Sequence, residues 1–290
     1  MPIKIATRKS PLALRQTELV ELWLQKHLPV AQSTQQVRLE TEVDKRLAWS
    51  LEKRGGIGLF TKELEAALLT EEVDLAVHSA KDLPTQFSPQ LEIAGYLPRA
   101  CANDVLVYNG THDQASVIAT SSPRRRAQIE RLYPNCRCQT IRGNVQTRLE
   151  KVASTESQLS GTLLAAAGLE RLGIRHYKNL QFKKLSLSEM VPAPGQGAIA
   201  IQCRTESIPK FAHLFCETTR VAVSLERAFL RGLGGGCQTP VGAHYVDDCL
   251  YIFHPKTGLI IHQEKLISID AIPEYLDPIF KQYAFADSTF

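Results

Sequence analysis

Ile5-Ala6-Thr7-Arg8-Lys9-Ser10-Pro11 and Ile118-Ala119-Thr120-Ser121-Ser122-Pro123-Arg124 follow one local design. Each reads as a strand, a short polar loop, a serine N-cap and a proline at the first helical position, where its missing N–H costs nothing. Each therefore sets a helix N-terminus, with free N–H groups and partial positive charge, at the carboxyl end of a strand. In a doubly wound sheet that edge is where ligands bind. One such loop is ordinary helix capping. Two, each beside arginines, point to a two-lobed clamp around an anion.

Outward from these loops, β-forming runs alternate with segments of helical period. Ile3–Thr7, Val37–Val43, Leu75–His78, Leu91–Tyr96, Val105–Tyr108, Val117–Thr120, Arg137–Ile141 and Thr162–Ala166 are expected strands. Leu12–His27, with Leu12, Leu19, Val20, Trp23 and Leu24 at helical spacing, is an expected helix, as are Lys62–Leu69, Arg124–Leu132 and Val145–Val152. Such alternation indicates a sheet covered by helices on both faces. Val191-Pro192-Ala193-Pro194-Gly195-Gln196-Gly197 is a natural crossing between domains. A C-terminal unit begins near Glu217, and its helix, Val221–Leu230, runs into Arg231-Gly232-Leu233-Gly234-Gly235-Gly236-Cys237.

At 290 residues the chain exceeds most single cores, so two or three domains are expected. Its net charge of +4 is mild, and only 7% of residues are aromatic, which argues against a dedicated nucleic-acid binder. Met1 to Ser10 lacks the apolar run of a signal peptide, and no segment reaches the ~18–20 apolar residues that span a bilayer. The seven cysteines are scattered and odd in number, which fits reduced thiols and a cytoplasmic location. Cys136 and Cys138 form the one close pair; without a second pair or a nearby histidine, no metal site is expected.

Three groups of residues can carry chemistry. Arg8, Arg124, Arg125, Arg142 and Arg148 sit in loops at strand ends, and guanidinium groups grip carboxylates bidentately; Arg126 reads as a solvated helix residue. Ala76-Val77-His78-Ser79-Ala80-Lys81-Asp82-Leu83-Pro84 is a buried run ending in a Lys–Asp pair. Asp82 there can stabilise a developing cation or relay a proton, although a plain surface ion pair has the same spacing. His78 reads as a satisfied core histidine. Cys237 follows four glycines in five positions, a loop able to project a thiolate into a cleft, although cysteines beside glycine turns are more often simply buried.

Eight motifs in order resemble the hydroxymethylbilane synthase (porphobilinogen deaminase) family. They are Ala6–Leu12, Leu59–Glu65, Ala76–Pro84, Thr120–Arg125, Arg142–Arg148, Ala165–Leu169, Pro194–Gly197 and Gly235–Gln238. The resemblance runs from residue 3 to about 245 and leaves the last ~45 residues unplaced. It implies an enzyme that joins porphobilinogen units one at a time, each losing ammonia, onto a dipyrromethane cofactor held by a thioether at Cys237. The linear tetrapyrrole is then released by water. Asp82 matches the catalytic aspartate, which would hydrogen-bond pyrrole N–H groups and stabilise the azafulvene-like cation. Lys81, Ser10, Thr120, Ser121, Ser122, Arg124, Arg125, Arg142 and Asp44 fall in the implied cofactor-binding set. Arg8, Arg148 and Arg171 fall in the substrate-binding set. Every pyrrole bears an acetate and a propionate, which accounts for so many arginines.

Three departures from the family pattern stand out. Gly55-Gly56-Ile57-Gly58 has Ile57 where a lysine is usual, Thr41-Glu42-Val43-Asp44 replaces Thr-basic-Gly-Asp, and an aspartate usual near Ser160 is missing. The first two lie in an expected cover over the site. A cation lost there would weaken carboxylate binding by ~1–3 kcal/mol if desolvated. The expected fold is α/β with three domains: two doubly wound lobes like the halves of a periplasmic binding protein, 1–96 with 196–214 and 97–190, and a small α/β domain, 217–290, carrying Cys237. A monomer in the cytoplasm is expected, with porphobilinogen as its small-molecule partner and neither nucleic acid nor membrane. Two rival readings are a non-catalytic two-lobed anion-binding module, which leaves Cys237 unexplained, and a Cys237 thiol hydrolase, which lacks a partner base.

Overall fold

The computed structural model describes residues 1–29, 32–40, 61–110, 116–236, 238–283 and 285. Contacts divide the chain into two compact units, Met1–Ala100 with Ala198–Val221, and Cys101–Gly197 with Ala222–Phe290.

The first unit is built on β1 (Ile3–Arg8), β2 (Thr34–Leu39), β3 (Leu75–Ser79), β4 (Leu91–Tyr96) and β10 (Ile199–Arg204), in the order β2-β1-β3-β10-β4. β1 runs parallel to β2 and β3, whereas β10 is antiparallel to both its neighbours. Strand residues alternate between two cores, as a period of two requires. Ile3, Ile5, Leu75 and Val77 pack with Val20 and Leu24 of the helix Pro11–His27. Ala6 and Ala76 face the other way, onto Leu64, Ala67 and Leu68 of the helix Lys62–Leu69. The sheet is thus buried on both faces. Leu24 is fully buried, so Leu24→Ala leaves a cavity costing ~2–5 kcal/mol. A urea melt is expected to show that loss in its midpoint.

The second unit repeats this topology. β5 (Asp104–Tyr108), β6 (Val117–Ala119), β7 (Arg137–Gln139), β8 (Gly161–Ala165) and β9 (Gln181–Lys184) lie in the order β7-β6-β8-β5-β9. β6 is parallel to β7 and β8, and β5 is antiparallel to β8 and β9. In both sheets the second, first and third parallel strands are followed by an antiparallel strand and then a fourth. Val105 and Val107 face one core with Leu149 and Val152, and Leu106 faces another with Ile118 and Ile129.

The rest of the second unit is a three-stranded antiparallel sheet, β11 (Gly242–Val246), β12 (Cys249–His254) and β13 (Gly258–Gln263), with the helix Glu217–Gly232 from Ala222 onward and the helix Ile272–Gln282. Residues that sequence alone left unplaced have a packing role here. Phe229 stacks on Phe280 with ring centroids 5.5 Å apart and meets Phe285 edge-on at 5.7 Å. Glycine at 232 lets the Phe280 ring approach, because a Cβ there would come within 2.4 Å of the ring and force it to shift.

The α/β class with helices on both faces is as expected, and several boundaries differ. β2 begins at Thr34 because its six residues pair in parallel with all six of β1; Val43 lies outside the described residues. β7 stops at Gln139. β9 and β10 have no counterpart among the expected strands. Among the described residues no helix is long and apolar enough to cross a membrane.

Candidate functional site

In the first unit the carboxyl ends of the parallel neighbours β1 and β3 fall at one sheet edge. β1 closes on the half-buried Arg8, and Ser10 caps the following helix by accepting from Ala13 N at 3.4 Å. β3 runs into a 3₁₀ turn, Ala80–Asp82, on which Lys81 and Asp82 are half-buried. Ala80 N donates to Ala198 O at 3.1 Å and Leu83 N to Ala80 O at 3.3 Å, which fixes the turn. The buried Gln16 donates from Nε2 to Ser79 Oγ at 2.9 Å and ties the helix to the same turn. Arg8, Ser10, Lys81 and Asp82 are therefore gathered at one edge on rigid elements. Among the described residues, no hydrogen bond or ion pair takes up the Asp82 carboxylate.

His78 lies behind this edge and is buried, its Nε2 3.0 Å from Gln202 Oε1. Burial pushes its pKa down to about 4. It is neutral near pH 7 and too weak a base to carry protons there.

In the second unit the parallel neighbours β6 and β7 bring two loops together. Thr120 N donates to Gln139 O at 2.7 Å; Ser121 Oγ donates to Ile141 O at 2.6 Å and accepts from Ile141 N at 3.2 Å. Ser122 caps the helix Pro123–Leu132 by accepting from Arg125 N at 3.4 Å. Its geometry repeats that of Ser10 with Pro11. Ser121 works on the backbone, holding the loop that leads to Arg142.

Arg142 is half-buried, and among the described residues nothing pairs with its guanidinium. Gly143 follows at φ +114°, and a Cβ there would come within 2.6 Å of Thr147 Cγ2, so only glycine makes this turn. Asn144 then caps the helix Val145–Ala153 by accepting from Thr147 N at 2.9 Å. Arg148 donates from Nε to Gly143 O at 2.9 Å. Arg171 ends the helix Ala166–Arg171 and donates to Gly197 O at 2.6 Å; burial lowers its pKa to about 10, which leaves it charged.

Arg124 and Arg125 are not on the surface. They are 4% and 6% exposed and share the fully buried Asp104. Arg124 Nη1 lies 2.7 Å from Asp104 Oδ2 and 2.7 Å from Val191 O. Arg125 reaches Asp104 Oδ1 from Nε at 2.9 Å and from Nη2 at 2.7 Å, and Leu163 O from Nη1 at 2.8 Å. Arg124 Nε is buried and has no acceptor among the described residues. Burial pulls the Arg124 pKa down and Asp104 opposes it; guanidinium remains charged at any working pH. A buried donor left without an acceptor carries a desolvation cost that nothing among the described residues offsets. Sequence reasoning missed Asp104, Gln16 and Gln196.

Cys237 and Asp44, with Glu42, Val43 and Ile57, lie outside the described residues. The turn before Cys237 is held by Gly235 N donating to Leu230 O at 3.0 Å and Gly236 N to Thr239 Oγ1 at 2.8 Å. Among the described residues no three His, Cys, Asp or Glu side chains cluster as metal ligands would.

Two family models match the chain. Residues 3–209 match "Porphobilinogen deaminase, dipyromethane cofactor binding domain", and residues 221–267 match "Porphobilinogen deaminase, C-terminal domain". Curated relatives of the same name include that of Clostridium acetobutylicum, 41% identical over 251 residues, or 84% of each chain. That of Ruminiclostridium josui is 39% identical over 83% of this chain and 81% of its own. That of Coxiella burnetii is 39% identical over 87% of this chain and 82% of its own.

Proposed function

This chain belongs to the porphobilinogen deaminase family, and from that premise we propose how its own residues share the work. It is a transferase of tetrapyrrole biosynthesis that joins porphobilinogen units head to tail with loss of ammonia and releases the linear product with water. The dipyrromethane cofactor, when bound through a thioether at Cys237, supplies the pyrrole carbon at which the chain grows.

The buried Arg124 guanidinium, with its unanswered Nε, carries the reading. Two guanidinium groups share one carboxylate here, so Arg124 fits a second, that of a pyrrole acetate or propionate. Arg125 braces it through Asp104. Arg142, whose guanidinium has no partner among the described residues, takes a further carboxylate, and Arg8, Arg148 and Arg171 serve those of incoming substrate. Lys81, Ser10, Thr120, Ser122 and Asp44 complete the cofactor contacts, while Ser121 holds the loop that carries them. Asp82 accepts from pyrrole N–H groups and stabilises the cation that porphobilinogen becomes as ammonia leaves.

Residues 1–96 with 196–214, 97–190 and 217–290 serve as three domains of a cytoplasmic monomer that binds neither nucleic acid nor membrane. Loss of one desolvated, charge-assisted contact costs ~1.5–3 kcal/mol, or roughly ten- to a hundredfold. Arg124→Leu is expected to lower the fraction of protein carrying the dipyrrole by about that factor, read by intact mass. Arg142→Leu is expected to slow chain elongation by a similar factor in single-turnover assays. Salt-sensitive DNA binding tighter than ~1 μM would instead assign the arginines to nucleic acid.

A further inference from the structure

We propose that Asp104 is a positioning residue for cofactor capture: its buried carboxylate sets the orientation in which Arg124 meets a carboxylate of the pyrrole chain. The proposal rests on Arg124 being a carboxylate-binding group.

Asp104 opens β5 and is fully buried. Its Oδ2 accepts from Arg124, and its Oδ1 accepts from Arg125 and from Gln196 Nε2 at 3.1 Å. Gln196 also donates to Ala102 O at 2.6 Å, so the carboxylate is held from the crossing segment as well as from the helix. One carboxylate thus serves two guanidinium groups, and this ion cluster holds one positive charge more than negative.

The two arginines are not equivalent. Every nitrogen of Arg125 already has an acceptor. Among the described residues Arg124 bonds through Nη1 alone, and its Nε is the buried donor left over. A planar guanidinium whose Nη1 is held by two acceptors has its other donors fixed in direction. Asp104 therefore makes Arg124 a rigid receptor, and an arriving carboxylate cancels the surplus charge. Without Asp104, two buried cations would face each other, and Arg124 would turn to whichever carbonyl is nearest.

The test is a double-mutant cycle read on cofactor content. Protein is purified from cells making porphobilinogen; folding is followed by circular dichroism and Tm, and dipyrrole content by intact mass. Asp104→Asn, which keeps shape but not charge, is expected to fold with a lowered Tm and to carry about tenfold less dipyrrole per folded molecule. Adding it to Arg124→Leu is expected to change dipyrrole content less than about twofold, because Asp104 acts through Arg124. Full dipyrrole content in folded Asp104→Asn, or independent losses in the double variant, would overturn the proposal. Full dipyrrole content in Arg124→Leu alone would instead overturn the role of Arg124. Should Asp104→Asn not fold, Gln196→Leu frees one oxygen of Asp104 from a neutral donor without changing charge. It is expected to lower Tm, because Ala102 O and Asp104 Oδ1 lose a buried donor, and to lower dipyrrole content per folded molecule; wild-type content in that variant also overturns the proposal.

Discussion

Asp82→Asn is expected to fold, to bind porphobilinogen and to turn over on the order of a hundredfold more slowly or worse. The substitution keeps the shape of the side chain and some hydrogen bonding, and removes only the charge. A carboxylate beside a forming cation stabilises charge that exists mainly in the transition state, so the loss belongs in kcat more than in binding. The 3₁₀ turn Ala80–Asp82 is pinned from both sides, by Ala198 O and through Ser79 by Gln16, so the amide should stand where the carboxylate stood. Asp82→Glu keeps the charge but displaces it, and should retain more activity than the amide. Steady-state rates for the two variants, beside a substrate-binding measurement, separate these outcomes. Near-normal turnover in Asp82→Asn would remove this residue from catalysis and move the search to Asp44.

Cys237→Ser is expected to abolish covalent cofactor and with it all sustained synthesis. Intact wild-type protein should exceed the 32.3 kDa chain by one dipyrrole, and the serine variant should weigh only as much as its own chain. A hydroxyl is far less nucleophilic than a thiolate at neutral pH, so serine cannot substitute for it in forming the link. The variant should melt like the apoprotein, because the preceding turn is held by backbone donors of Gly235 and Gly236 rather than by the cysteine. A wild-type mass equal to the bare chain, from cells able to make porphobilinogen, would sink the attachment and favour a non-catalytic binder.

Much of this architecture is legible in the chain because it rests on local signals. The two Ser-Pro loops are helix starts in the structure, Ser10 and Ser122 capping alike, because an N-cap needs only neighbours three residues away. Buried strands such as Leu75–Ser79 also declare themselves by their apolar run. Gln181–Lys184 does not: a four-residue edge strand of sequence QFKK has too short a period to stand out. The Asp104 cluster was invisible for a different reason. Arg124-Arg125 reads as a pair that grips carboxylates at a strand end, and nothing local tells that an aspartate twenty residues earlier, at the start of a strand, neutralises part of its charge in the interior. Phe280 and Phe285 were likewise mute until their partner Phe229 was placed.

The insertion of β10 between β3 and β4 bears on how the protein comes into being on the ribosome. The second lobe's sheet lies in one unbroken stretch, from β5 to β9, and can close as soon as that stretch has emerged. The first lobe cannot. β3 and β4 have no ladder between them until Ile199–Arg204 arrives, roughly a hundred residues after β4 has been made. During that interval two apolar strands wait with open edges, the state most prone to pairing with another chain. Synthesis thus finishes the later lobe first and leaves the earlier one dependent on a late arrival, so the N-terminal half is the part that most needs shelter while the chain is young.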